Sequence, residues 1–287
     1  MPTTLLHTPG EMSAITRGWR DAHETSALVP TMGALHRGHL ALVEAARKIS
    51  QRVVVSIFVN PLQFGPREDF DQYPRDIEAD LDLLNQQGLT DVAFVPDKSQ
   101  MYPDGHSKTE VLVSSMASVL CGQARPTHFA GVTTVVAKLL NLVQPDFAVF
   151  GQKDAQQLAI VKRMVRDLNF PVEIVGVPTV REPSGLALSS RNRYLSAQQK
   201  SQAACIYQIL SQTHQRFLQG ERNSERLEEQ AWTQLSEVGL HPEYVSIVDR
   251  DSLVPVAGEI RRPATLAVAC PVGPARLIDN ILLDTGS

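Results

Sequence analysis

Through the first two-thirds of the chain, short apolar runs alternate with segments whose apolar positions recur every three to four residues. Residues 27–31 form one such run. Residues 52–60, RVVVSIFVN, are almost continuously apolar, the pattern of a strand buried on both faces of a parallel sheet. Further strands are expected at 91–96, 146–151 and 172–178, with an extended piece at 108–113. Helical spacing covers 39–50, 74–87, 129–143 and 155–169, with a short stretch at 115–120. Within 74–87, Ile77, Leu81 and Leu84 share one face and Gly88 follows as a stop. Strands alternating with helices imply right-handed crossovers and an α/β, doubly wound parallel sheet. Ligands of such sheets gather at the carboxyl ends of the strands, near a topological switch point.

The pattern changes near residue 180. Residues 181–192, REPSGLALSSRN, are rich in Ser, Gly and Pro and read as a loop or hinge. Helices are expected at 197–219 and 224–238, the second with Ser224 as its N-cap. Strand-like pieces follow at 244–249, 265–270 and 276–283. The expected organisation is a nucleotide-binding domain over 1–179 and a smaller α+β lid over 180–287.

The stretch at 30–40, PTMGALHRGHL, carries the first chemistry. It joins an apolar strand to a helix through a loop containing Gly33, Gly38, His36 and His39. Backbone N–H groups and the positive end of the helix dipole make such a junction an anion site. The three-residue spacing puts both imidazoles on one side, where they can donate to phosphate oxygens. Gly38, having no side chain, lets a nucleotide lie close to the backbone. The alternatives at this point are a histidine pair on a metal or two ordinary surface histidines.

Composition narrows the classes. The 287 residues are 43% hydrophobic and 20% charged, with a net charge of -4, which argues against a polyanion such as nucleic acid as partner. The start of the chain has no basic segment followed by a long apolar one, and no run reaches the length of a membrane span, so neither a signal peptide nor a membrane anchor is expected. Cys121, Cys205 and Cys270 lie far apart and form no C-x-x-C pair, which fits a cytoplasmic protein with reduced thiols.

Other polar clusters follow the strand ends. FVNPLQFG at 58–65 brings Asn60 and Gln63, amides that can grip a small polar substrate. Beyond it lie Asp69, Asp71, Tyr73, Arg75, Asp76 and Asp80, most of them read as a solvated loop and helix face. GQARPTHFAG at 122–131 places Arg125 and His128 before a helix, with Arg125 able to pair with a carboxylate. GQKD at 151–154 offers Lys153 to phosphate and Asp154 to a helix cap or a ribose hydroxyl, with Gln156 and Gln157 one turn on. In LSSRN at 188–192, Ser189, Ser190 and Arg191 make a mobile polyphosphate clamp. Each cluster alone can also be read as an ordinary capped turn.

Taken in order, PTMGALHRGH, FVNPLQFG, YPRD, RPTHFAGV, FGQKDAQQ and VPTVREPSGLALSSRN resemble the pantoate–β-alanine ligase family of the H-x-G-H nucleotidyltransferases, from about residue 25 to 195. The resemblance implies a Rossmann-like domain, a C-terminal lid and a homodimer. It also implies a reaction: ATP and (R)-pantoate give pantoyl adenylate and pyrophosphate, then β-alanine displaces AMP to give pantothenate. By resemblance, Met32, Gly33, Ala34, Leu35, His36, Arg37, Gly38 and His39 line the ATP site. Gly151, Gln152, Lys153, Asp154, Val180, Leu188, Ser189, Ser190 and Arg191 complete it. His39, His36, Lys153, Ser189, Ser190 and Arg191 are the expected catalytic group. Gln63 and Gln157 are expected at pantoate, with Asn60, Arg125 and Tyr73 nearby, and Asp80 is the expected Mg²⁺ contact. Two other readings stand beside this one: another small-substrate adenylyltransferase of the same superfamily, and a nucleotide-binding module without catalysis.

Overall fold

The computed structural model describes residues 2–66 and 68–284. The larger part runs β1 (Thr4–Leu6), α1 (Pro9–Asp21), β2 (Ser26–Thr31), α2 (Arg37–Ile49), β3 (Arg52–Ile57), α3 (Ile77–Gln87) and β4 (Val92–Phe94). One-turn helices α4 (Lys98–Met101), α5 (Ser114–Ala117) and α6 (Cys121–Ala124) follow, then α7 (His128–Val143), β5 (Phe147–Gly151), α8 (Ala155–Asp167) and β6 (Glu173–Val177). The six strands form one parallel sheet in the order β1-β4-β3-β2-β5-β6. The chain runs outward from β2 through β3 and β4, then returns to lay β5 on the other side of β2. That reversal is the switch point, and the loops leaving β2 and β5 open beside each other there.

The apolar runs are buried because each face of the sheet is covered. Leu28 and Val54 point to the side of α1, α7 and α8, where Met12, Val136 and Val161 meet them. Their neighbours Ala27, Val29, Val53 and Val55 point the other way, onto Val43 and Ala46 of α2 and Leu84 of α3. Each buried Val or Leu contributes roughly 1.5–3 kcal/mol, so both faces select apolar side chains and no alternation is visible in the sequence.

The second part contains α9 (Ala197–Leu218), α10 (Ser224–Glu237) and an antiparallel sheet of β7 (Tyr244–Asp249), β8 (Ala264–Val272) and β9 (Ala275–Leu283), in that spatial order. One face, carrying Ile247, Leu266, Val268 and Leu277, packs on α9 and α10. The other face turns toward the parallel-sheet part: Val248, Leu253, Ala267 and Ile278 share a cluster with Met116, Leu120, Phe129 and Ile160. The α/β class, the parallel sheet and the small antiparallel sheet all agree with the sequence reading. Among the described residues no helix is long and apolar enough to cross a membrane.

Some local expectations are corrected. Residues 4–21, passed over in the sequence, hold the edge strand β1 and helix α1. Their signal was T-P-G-E, a capping box with Pro at the first helical position: Thr8 Oγ1 accepts from Glu11 N and Glu11 reaches back to Thr8 N. The piece at 108–113 is not a strand, since threonine side chains of α7 take its backbone groups, Val111 N donating to Thr134 Oγ1 at 3.0 Å. The cap of α10 is Asn223, which accepts from Arg226 N at 2.8 Å. Ser224 is buried and instead donates to Val256 O at 2.8 Å. Helix α3 starts at Ile77, behind the cap Asp76, rather than at residue 74.

Candidate active site

The loop leaving β2 is held in an unusual backbone shape. Gly33 has φ 81° and Ala34 φ 50°, the left-handed region that side chains avoid. A methyl group on Gly33 would lie 2.9 Å from Asp80 Oδ2, so the position admits only glycine. Asp80 holds the turn: Ala34 N donates to Oδ2 at 2.9 Å and Leu35 N to Oδ1 at 2.7 Å. Burial raises the Asp80 pKa and these two amide bonds pull it back. Both its oxygens thus accept from backbone, and Asp80 serves here as the anchor of the turn. Among the described residues no three His, Cys, Asp or Glu side chains are grouped as metal ligands.

The two histidines cap α2 for each other. His36 Nδ1 accepts from Gly38 N at 3.1 Å and His39 Nδ1 accepts from His36 N at 3.3 Å, a capping box built from imidazoles. An N–H can only donate, so both Nδ1 atoms are bare and the ring protons sit on Nε2. The ring centroids are 4.1 Å apart. Burial is the main cause that lowers His36 to about 4 and His39 to about 3, with Lys153 adding to both. Near neutral pH the pair is therefore two uncharged Nε2–H donors. Gly38 serves this arrangement directly, because a methyl group there would lie 2.8 Å from His36 Cε1.

At the end of β3, Asn60 caps the turn Pro61–Gln63 and is almost fully buried. It receives the Tyr102 hydroxyl at 2.9 Å and donates to Gly131 O at 3.0 Å and Gln63 Oε1 at 3.2 Å. Gly131, the glycine of the HFAG motif, lets α7 lie against this turn, since a methyl group there would come within 2.3 Å of Leu62 O. Gln63 is positioned by this chain and its amide nitrogen meets Met32 Sδ at 2.7 Å. Asn60 is thus the support behind Gln63.

Two arginines also stand at this site, each held by a carboxylate. Arg125 is bidentate to Glu68, at 2.7 and 2.5 Å, and Arg191 is bidentate to Asp69, at 3.0 and 2.8 Å. Despite partial burial, these arginines hold both carboxyl groups below their usual range. His128 Nδ1 donates to Gln63 O at 2.7 Å, so its Nε2 is bare and accepts from Arg125 NH1 at 3.1 Å. Burial, then Arg125, lowers His128 to about 4. Ser190 Oγ donates to Ala34 O at 3.2 Å, which ties the 181–192 loop to the loop after β2. Tyr73 is buried beside it, and burial raises its hydroxyl pKa.

A cavity of about 1060 Å³ joins these pieces. It is lined by Met32, His36, Gly38, His39, Asn60, Gln63, Tyr73, Arg125, Gly151, Lys153, Asp154 and Gln157, together with Val180, Leu188, Ser189, Ser190 and Arg191. Gly33, Ala34 and Leu35 lie behind it as buried loop backbone, Arg37 is exposed, and neither Gln152 nor Asp80 is part of the lining. Asp154 makes no cap to α8, and its Oδ1 lies 3.5 Å from Lys153 Nζ. Gln156 lines the cavity as its neighbour does, but its amide is spent elsewhere. Its amide holds the 116–121 turn, donating to Met116 O and Val119 O and accepting from Cys121 N. Glu68, Asp69 and Asn280, which the sequence reading did not select, also line the cavity. Acidic residues on a loop carry no local signal of which arginine they will meet.

The family model described as pantoate-beta-alanine ligase matches residues 4–282. The chain is 48% identical to pantothenate synthetase of Methylococcus capsulatus over 97% of each chain. It is 49% identical to pantothenate synthetase of Thermotoga petrophila, over 97% of this chain and 99% of that one. It is also similar to the crystal structure of pantothenate synthetase from Thermus thermophilus, with TM-score 0.91 and 45% identity over 98% and 100% of the two chains. A pantoate-beta-alanine ligase from Francisella tularensis, in a crystal structure complexed with beta-gamma ATP and beta-alanine, gives TM-score 0.80 and 32% identity over 99% of each chain. The chain belongs to the pantoate–β-alanine ligase family, the enzymes that make pantothenate from pantoate and β-alanine.

Proposed function

We propose that this cavity makes pantothenate in two half-reactions, with ATP over the loops after β2 and β5 and pantoate between Gln63 and Gln157. The Francisella relative, complexed with beta-gamma ATP and beta-alanine, supports binding of a nucleotide and the amine by this fold. A carboxylate is a poor acyl donor because its leaving group would be oxide. In the first half-reaction a pantoate carboxylate oxygen attacks the α-phosphorus and pyrophosphate leaves with the electrons of the broken P–O bond. In the second, the free amine of β-alanine attacks the acyl carbon, AMP leaves with the C–O bonding electrons, and the nitrogen loses a proton.

No covalent nucleophile is needed. The site has to align two anions and meet the charge that builds on phosphate oxygens. His36 and His39 do this as neutral Nε2–H donors, with Lys153 and Arg191 as the cations and Ser189 and Ser190 shaping the loop that carries Arg191. A Mg²⁺ ion accompanying the nucleotide would supply further neutralisation of that charge. Among the described residues lining the cleft, Asp154 is the carboxylate that no arginine holds, so it fits the cation better than Asp80 does.

The observation that carries this reading is the convergence of two fixed Nε2–H donors and Lys153 on one cavity that also holds the two glutamine amides. It is tested by pantoate-dependent exchange of pyrophosphate into ATP without β-alanine, followed by pantothenate and AMP formation when β-alanine is added. His39→Ala should remain folded and lose about a hundredfold in exchange rate, the usual cost of one such donor. Exchange at the wild-type rate by that variant overturns the histidine's role. Absence of any pantoate-dependent signal from wild-type protein that binds ATP overturns the adenylate route.

A further inference from the structure

Strand β9 faces two ways. Ala275, Leu277, Ile281 and Leu283 point into the core under α9, and Asp279 on the same side is bidentate to Arg181 at 2.6 and 2.8 Å. Arg181 in turn stacks on Tyr207 of α9, 3.5 Å from its ring centroid. The alternate positions point toward the parallel sheet. Arg276 reaches Cys121, Ile278 joins the apolar cluster between the two parts, and Asn280 reaches the turn Gln152–Asp154.

Asn280 is buried, and its amide nitrogen spends both hydrogens on that turn, donating to Gln152 O at 3.0 Å and Lys153 O at 2.9 Å. The turn has little else to fix it. It has no side-chain cap at its own start or at the start of α8, and among the described residues no other side chain hydrogen-bonds to its backbone. Among the described residues the Lys153 ammonium has only a 3.5 Å contact to the adjacent Asp154. Asn280 N–H also donates to Asp279 Oδ1 at 2.8 Å, so the residue that grips the lysine turn is joined to the residue that grips the root of the 181–192 loop.

We propose that Asn280 is a positioning residue for nucleotidyl transfer: by holding the carbonyls of Gln152 and Lys153 from the antiparallel sheet, it sets where the Lys153 ammonium stands over the phosphates. The inference rests on the reading that Lys153 meets those phosphates. It makes the C-terminal sheet part of the catalytic geometry, not only a cover over it. Asparagine suits the task because one –NH₂ can bridge two successive carbonyls, whereas a carboxylate of the same shape would present oxygens to them.

The test is pantoate-dependent pyrophosphate exchange by purified full-length variants, with melting temperature recorded for each. Asn280→Ala should lower kcat about tenfold while the KM for ATP moves less than about threefold, since a misplaced group of order 1 Å costs rate up to about a hundredfold. Asn280→Asp should lose more than the alanine variant, and Asn280→Ser, which keeps one donor, should lose less and serves if the alanine variant does not fold. The deciding measurement is the same substitution in a Lys153→Ala background. If Asn280 acts through Lys153, its replacement costs nothing further there. An equal loss in both backgrounds, or a lowered melting temperature with unchanged kcat, makes Asn280 a purely structural tie and overturns the proposal. Wild-type exchange by Lys153→Ala instead overturns the reading of Lys153 and takes the proposal with it. A large loss in Lys153→Ala with none in Asn280→Ala overturns the proposal alone.

Discussion

The two sides of the cleft are held by opposite means. On the side of the loop after β2, the donors are uncharged and are fixed by backbone within a few residues: His36 by Gly38 N and His39 by His36 N. On the arginine side, charges are fixed by partners from other segments: Arg125 by Glu68 and Arg191 by Asp69, across 57 and 122 positions of sequence. The first side is preorganised and has nothing to exchange, so it meets developing charge without rearranging. The second holds its cations in ion pairs with carboxylates, which an incoming anion can take over. A site for two anions gains from both, one wall that is rigid and one whose charge is compensated until the substrates arrive.

Substitution at Gly38 breaks the rigid side most directly. In Gly38→Ala the new methyl group would meet the His36 ring, displacing it and its bond to the helix N-terminus. Alanine is otherwise the better helix residue by about 1 kcal/mol, so melting temperature should change little while the exchange rate falls by about tenfold. A fully active Gly38→Ala would mean that the ring position is unimportant.

Acid should separate the buried neutral histidines from the ion-paired carboxylates by pH. His36, His39 and His128 are lowered in the folded protein to about 4, 3 and 4, so the unfolded chain binds protons first and their neutral burial loses stability as pH falls from about 6.5 toward 4. Glu68 and Asp69 are also lowered, and their contribution is present above the ordinary carboxylate range and lost only as pH drops through it, at roughly 4 and below. Melting temperature should therefore begin to fall below about pH 6.5. Replacing His128 by Gln should make that first part of the profile shallower, and Asp69→Asn should leave it unchanged. A profile that is flat down to about pH 4.5 in the wild type contradicts the buried neutral state of the histidines.

The smallest effect belongs to the exchangeable side. The Arg191–Asp69 pair is partly exposed, with side chains 29% and 23% accessible, so Asp69→Asn should cost at most about 1 kcal/mol of stability. Its signature is kinetic: the KM for ATP should shift by a few-fold and depend less on salt than in the wild type. An unchanged KM and salt response would show that Arg191 does not leave Asp69 when nucleotide binds.

Much of this architecture is written locally. The strand cores β2 and β3 follow from apolar runs that only a doubly covered parallel sheet can bury, and the helices α3 and α7 from their spacing and stops. The H-x-G-H junction can be read because each of its contacts lies within three residues. The same kind of local signal was present in T-P-G-E and would have placed α1. What no window of sequence contains is the choice among chemically equivalent partners. Six acidic positions between residues 68 and 80 look alike on paper, namely Glu68, Asp69, Asp71, Asp76, Glu78 and Asp80. Only the crossing of β2, α3 and the 181–192 loop makes Asp80 the anchor of a strained turn and Asp69 the partner of Arg191. Asn280 is the extreme case, a residue of the last strand gripping a turn more than a hundred residues earlier. Hydrophobic period and helix caps act within a turn or two of chain, so sequence alone determines them. Hydrogen-bond partners are set by which strand ends the topology brings together, and that is decided only when the whole sheet has closed.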